Sequence, residues 1–158
     1  METVLVTYAT KRGSTREVAA DIARVIRQSG FEVEILPARE VERLDRYRAV
    51  VIGGALYMGR WHKDARKLLE RRRGELASLP VAVFAMGPKN TEPEELERAA
   101  AQLERALRTA PEVKPVSTAV FGGVYSVGKK HAFDARDWNA IQAWGEEVAA
   151  KLVAAGLR

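Results

Sequence analysis

The feature that most constrains this chain is a rhythm: short, β-branched apolar runs alternate with amphipathic segments of helical period from end to end. The opening run Val4-Leu5-Val6-Thr7-Tyr8 is continuous, as in a strand covered on both faces. The spacing then predicts a helix from Ser14 to Ser29. Val18, Ile22, Val25 and Ile26 form its apolar stripe, and Gly30 stands where a left-handed C-terminal residue is wanted. Phe31 to Ile35 alternates strictly, the pattern of an edge strand, and Pro37 ends it. Ala49 to Ile52, Val81 to Ala85 and Val116 to Phe121 read as strands three, four and five. A helix is expected over Lys63 to Arg73. Another is expected after a Thr91/Glu94 capping box, with Pro93 in its first turn and Leu96, Leu103 and Leu107 inside. The last helix is expected to open between Asp134 and Asp137 and to bury Trp138, Ile141, Trp144, Val148 and Leu152.

Strands separated by helices require right-handed crossovers, hence a parallel sheet covered on both faces. Roughly five such units are too few for a closed barrel. The expected fold is therefore α/β: an open, doubly wound, five-stranded parallel sheet with helices on both faces. The 158 residues contain no repeat, low-complexity tract or linker, so residues 1–158 read as a single domain. With no cysteine, a thiol nucleophile, a Cys-ligated iron–sulfur cluster and an all-Cys zinc site are excluded. No apolar run approaches the ~20 residues of a membrane span, and a cytoplasmic setting is expected. Lys+Arg 26 against Asp+Glu 21 gives +5. That balance favours an anionic partner, such as a phosphate ligand, an acidic protein or an anionic membrane surface, and is too modest and dispersed for nucleic acid. The Arg71-Arg72-Arg73 run is expected to be a solvated helix end.

In such sheets ligands bind beyond the carboxyl ends of the strands, where strand order reverses. The first exit loop carries Thr10, Lys11, Arg12, Gly13, Ser14 and Thr15 and runs directly into a helix. Unpaired N–H groups and the positive end of the helix dipole meet there, with hydroxyls, two cations and a glycine. A phosphate monoester fits; so does an ordinary capped helix with surface cations. The G-x-x-x-x-G-K-[ST] and G-x-G-x-x-G loops are absent. Gly53-Gly54 after the third strand argues against a phosphate-receiving regulator, whose chemistry needs an acidic cluster with Asp at that place. The third exit, Gly54 to His62, offers Ala55, Leu56, Tyr57, Met58 and Gly59 to flank a flat aromatic ligand. The fourth offers Met86, Gly87, Pro88, Lys89 and Asn90, whose backbone could read the edge of a heterocycle. The fifth, from Gly122 and Gly123 to His131, could form a wall or a mobile lid. His62 and His131, the groups that titrate near neutral pH, read as loop or helix-end residues rather than proton donors.

With these residues in view, the chain resembles the flavodoxin-like FMN proteins. The segment Thr10-Lys11-Arg12-Gly13-Ser14-Thr15 resembles that family's T-x-T-G-x-T phosphate loop, with Arg12 in place of the third hydroxyl residue. The segment Gly53 to His62, the Leu79-Pro80 lead into strand four and Asp137-Trp138 opening the last helix resemble the flavodoxin-domain branch that contains menaquinone-dependent protoporphyrinogen oxidase. The resemblance implies a sheet of order 2-1-3-4-5. It also implies FMN, with Thr10 to Thr15 on its phosphate, Ala55 to Gly59 and Met86 to Asn90 around its ring, and Gly122 and Gly123 alongside. It implies electron transfer, with a redox partner protein or a small acceptor such as a quinone. The segment Gly122 to Arg136 is shorter than in the quinone-dependent oxidases. Three readings stay open: a small flavin carrier or oxidoreductase, a protoporphyrinogen or quinone oxidoreductase, and a non-flavin regulatory or scaffold domain. In the flavin readings, Arg60, Lys89 and Lys129 imply a less negative second reduction potential than acidic flavodoxins show.

Overall fold

A computed structural model describes residues 2–127 and 130–158. Its parallel strands are β1 (Thr3–Ala9), β2 (Glu32–Pro37), β3 (Ala49–Tyr57), β5 (Val81–Met86) and β6 (Ser117–Phe121), and β4 (Arg60–Trp61) pairs antiparallel with the end of β3. The spatial order is β2-β1-β3-β5-β6, the expected order of the five main strands, with the sequence-alternating β2 at an edge. The chain reverses its direction of travel across the sheet between β1 and β3. Both faces are covered, because successive residues of a strand point to opposite sides. Val4, Val6, Val51 and Phe84 pack under α1 (Ser14–Gln28) and α5 (Trp138–Ala154). Leu5, Val50, Ile52 and Val83 pack under α2 (Lys63–Arg71), α3 (Arg73–Ala77) and α4 (Pro93–Leu107). No helix among the described residues is long and apolar enough to cross a membrane.

Helix ends follow local chemistry. Gly30, at φ 100°, accepts the left-handed conformation that closes α1, and Asp137 caps α5 by accepting from the Ala140 N–H at 3.1 Å. The expected Thr91/Glu94 capping box does not form. Pro93 takes the first helical position, which moves the N-cap to Glu92 and puts Glu95, not Glu94, three residues on. Asn90 instead accepts from the Glu92 N–H at 2.9 Å. The helix expected over Lys63 to Arg73 is divided at Arg72. Its arginines are not simply a solvated end: Arg71 donates to the Val41 carbonyl at 2.9 Å, and Arg72 donates to the Glu42 carbonyl and to Glu75. These bonds tie the connection after β2 to the helical layer.

Two other departures lie at the carboxyl end of the sheet. Strand three does not stop at Ile52. It runs through Gly53 and Gly54 to Tyr57 and turns back at Met58 (φ 53°) and Gly59 (φ 77°), the two positive φ values of a tight hairpin. The glycines leave the strand intact because aromatic rings occupy the space where their side chains would stand. A Cβ on Gly53 would sit 2.0 Å from the Phe84 ring, and one on Gly54 2.5 Å from the Trp61 indole nitrogen. After β6, where a wall or lid was expected, the chain forms a second hairpin, β7 (Val124–Val127) with β8 (Lys130–Asp134). Its alternation is too short and too interrupted by glycine to announce strands.

Candidate functional site

The exits of β1, β3, β5 and β6 share one end of the sheet, beside the reversal of strand order. At the β1 exit, Gly13 adopts φ 93° as the N-cap of α1, with open space around its missing side chain. Its carbonyl accepts the Glu17 N–H at 3.3 Å and starts the helical ladder. The N–H groups of Ser14, Thr15 and Arg16 therefore have no acceptor among the described residues. Beside them the Thr15 hydroxyl is fully buried and without a partner, a condition worth about 1–3 kcal/mol until an acceptor or donor arrives. Thr10 behaves differently, because its hydroxyl already accepts the Gly13 N–H at 3.0 Å. Lys11 and Arg12 are exposed, and Lys11 Nζ lies 4.5 Å from the centre of the Tyr57 ring. The first and third exits are thus joined by a cation–π contact.

The β3–β4 hairpin is fixed from beneath. Trp61 is buried, lies across Gly54 and donates its indole N–H to the Phe84 carbonyl at 3.2 Å. His62 donates its backbone N–H to the Ala55 carbonyl at 2.8 Å. Its Nδ1 accepts from the Asp64 N–H at 3.0 Å, capping α2. That bond requires a neutral imidazole, and burial holds the His62 pKa below its usual value of 6.5. His62 is therefore the cap of α2, the helix-end position that its sequence reading gave it. The hairpin turn projects into solvent, with Tyr57 62% and Met58 83% exposed.

Between this turn, the β5 exit and α4 runs a groove of about 360 Å³, lined by Leu56, Gly59, Gly87, Pro88, Lys89 and four residues of α4. Two separate sequence candidates, the third and fourth exits, meet in it. The α4 residues Glu95, Arg98, Ala99 and Gln102 were missed. Their one-face helical spacing was legible, but nothing in it says that this face meets a loop. Arg98 and Glu95 are paired at 3.1 Å, so the α4 wall carries a neutralised ion pair and an amide. Other candidates are spent differently. The Met86 side chain belongs to the core under α1 and α5, leaving its main chain for any ligand. Asn90 is engaged as the turn acceptor before α4.

Gly122 and Gly123 are buried by close approach of main chain. A Cβ on Gly122 would lie 2.1 Å from the Ala135 carbonyl oxygen, and one on Gly123 2.9 Å from the Gly87 Cα. The Gly123 N–H donates to the Pro88 carbonyl at 2.8 Å, the Ala135 N–H to the Gly123 carbonyl at 2.9 Å, and the Gly87 N–H to the Phe121 carbonyl at 3.2 Å. These bonds join the β5 exit, the β6 exit and the root of the second hairpin. On that hairpin Tyr125, 53% exposed, stacks on Phe133 at 5.9 Å. Lys129 and the side chain of His131 lie outside the described residues.

Residues 5–141 match the family model described as "Flavodoxin domain". Protoporphyrinogen IX dehydrogenase [quinone] of Escherichia coli (strain K12) is 25% identical over 92 residues, which is 57% of this chain and 51% of that protein. The chain spans about half the length of the curated relatives it matches. Among solved structures, a cysteine-substituted flavodoxin from Pseudomonas aeruginosa superposes with a TM-score of 0.69 at 18% identity, covering 96% of this chain and 99% of that one. An archaeal flavodoxin gives 0.63 at 17%, covering 96% and 99%. The rubredoxin oxygen:oxidoreductase of Desulfovibrio gigas gives 0.67 at 13%, covering 98% of this chain and 37% of that larger one. At these identities the structural likeness is one of fold.

Proposed function

The chain belongs to the flavodoxin-domain family, a family that implies a flavin, and from that premise we propose that it binds FMN and works in electron transfer as a small flavoprotein. One observation carries the choice of a phosphate-bearing flavin: the buried, unpartnered Thr15 hydroxyl beside the unpaired N–H groups of Ser14, Thr15 and Arg16. An anion there meets donors and the positive end of α1 together. That FMN lies at the point of strand reversal is a general property of flavodoxin-type sheets; the fit of these particular groups is what this chain adds.

In this reading the α1 amides and Thr15 hold the phosphate. Lys11 and Arg12 add positive charge, and Ser14 adds a hydroxyl. Thr10 shapes the loop by accepting the Gly13 N–H, and Gly13 provides the turn. Ala55 to Gly59 and Gly87 to Lys89 flank the ring, with Met86 and Asn90 contributing through main chain and loop shape. Gly122 and Gly123 contribute by letting the second hairpin approach. When bound, FMN supplies one- and two-electron transfer, and the protein supplies position and electrostatics. The cations Lys11, Arg60 and Lys89 at this end favour negative charge on the ring, so the second reduction potential is expected to be less negative than in acidic flavodoxins. The same charges suit an acidic redox partner, or an anionic membrane surface, in a cytoplasmic setting.

A second reading, dehydrogenation of a protoporphyrinogen-like compound with quinone as acceptor, is favoured by the name of the curated relatives. Anaerobic turnover of those compounds by the FMN-loaded protein separates it from simple electron carriage. The primary test is an FMN titration followed by fluorescence quenching, repeated with riboflavin. Thr15→Val should weaken FMN by about tenfold, the loss of one hydrogen bond to a charged group, and riboflavin hardly at all. Equal losses for both would move the phosphate elsewhere, and a colourless protein indifferent to added FMN would restore the non-flavin domain reading.

A further inference from the structure

Glu17 stands in the first turn of α1, on the helix whose leading amides form the cradle. A carboxylate there suits the helix dipole, yet competes with an incoming anion for the same positive potential. The structure answers it with Arg136, whose side chain is 10% exposed. Its Nη1 donates to Glu17 at 3.0 Å, while Nε and Nη2 donate to the two oxygens of Asp134 at 3.0 and 2.8 Å. The guanidinium also lies 4.9 Å from the centre of the Trp138 indole. Asp134 ends β8, so one arginine spans the root of the second hairpin, the start of α5 and the first turn of α1.

We propose that Arg136 is a positioning residue for the anion at the start of α1: its charge, shared between Glu17 and Asp134, offsets that of the Glu17 carboxylate, so that the helix accepts a phosphate monoester. This rests on the phosphate reading above. A purely structural tie would hold the hairpin and affect every flavin alike. A charge-compensating role acts on the phosphate and spares the ring.

The experiment compares FMN with riboflavin by fluorescence quenching, using the full chain. Arg136→Met should raise the FMN Kd about fivefold, the size of one helix-terminus charge interaction, and change the riboflavin Kd by less than about twofold. Adding Glu17→Gln to that variant should recover most of the FMN binding, because the uncompensated carboxylate on α1 itself is gone and only Asp134, at the hairpin root, is left without the arginine. Arg136→Lys, which keeps the charge and loses the two-pronged grip on Asp134, should bind FMN nearly as the unsubstituted protein does. Glu17→Gln alone should tighten FMN and leave riboflavin unchanged. Equal losses for the two flavins, or no recovery in the double variant, overturn the proposal while the cofactor reading stands. If the unsubstituted protein binds neither FMN nor inorganic phosphate, the cofactor reading falls and this proposal with it.

Discussion

The β1–α1 corner and the β3–β4 corner stand side by side at one end of the sheet and are built from opposite materials. The first is main chain around one left-handed glycine, with open space where that glycine lacks a side chain and a hydroxyl left unpartnered. The second is filled: glycine supplies a vacancy, and Phe84 and Trp61 take it. The first corner keeps its donors unspent, whereas the second has already received its occupants from the chain itself. The difference teaches that glycine at a strand exit has two meanings, backbone freedom and volume, and that only the surroundings tell them apart.

Substitutions at the two glycines give the widest separation. Gly53→Ala should cost about 3 kcal/mol or more, because the added methyl falls inside the Phe84 ring position and core overpacking is expensive. Urea unfolding measures it, and a cost near zero would mean that Phe84 moves freely and the filled-corner description is wrong. Trp61→Phe should cost about 2 kcal/mol, from the lost bond to the Phe84 carbonyl together with the smaller ring. Gly13→Ala should cost only about 1 kcal/mol, a conformational penalty at φ 93° without any clash. Smaller still is the acid response of His62. Its folded pKa lies below 6.5, so its contribution to stability is complete above pH 6.5 and is lost as pH falls through the depressed value. His62→Asn, which keeps a capping acceptor, should flatten that part of the pH–stability profile. Thr15→Val should leave stability within about 0.5 kcal/mol of the original or raise it, since the lost hydroxyl had no partner. A clear loss of stability would show that hydroxyl to be engaged within the fold.

The alkaline side offers a control remote from both corners. Tyr47 donates to Glu34 at 2.5 Å, and burial, followed by that bond, pushes its pKa up to about 12. A raised folded value means stability intact below pH 10 and lost as pH climbs through about 12. Tyr47→Phe should remove this slope without altering flavin binding, as followed by unfolding and by FMN titration.

The sheet was legible because buried parallel strands leave continuous apolar runs, and Val4 to Tyr8 and Val81 to Ala85 left little room for another reading. The shape of the β1–α1 corner was legible because a strand exit, a glycine and a helix start lie within a few consecutive residues. What stayed hidden depends on contacts distant in sequence. Nothing around Gly53 announces Phe84, and nothing near Arg136 announces Glu17, more than a hundred residues earlier. The groove was half visible. Leu56 and Gly87 were named from their loops, whereas Arg98 and Gln102 needed the placement of α4. The Thr91 box failed for a local reason, because one proline reset the helix start by a single position.

The stitching of Gly87, Gly123 and Ala135 through their own peptide groups has a consequence for how this molecule can be varied. A side chain added at any of the closely packed glycines there would part strands of the seam, so the root of the second hairpin is committed to its present form. Tyr125, one residue further along β7 and 53% exposed, is under no such obligation. The exposed aromatic surface can therefore be rewritten while the knuckle beneath it stays fixed.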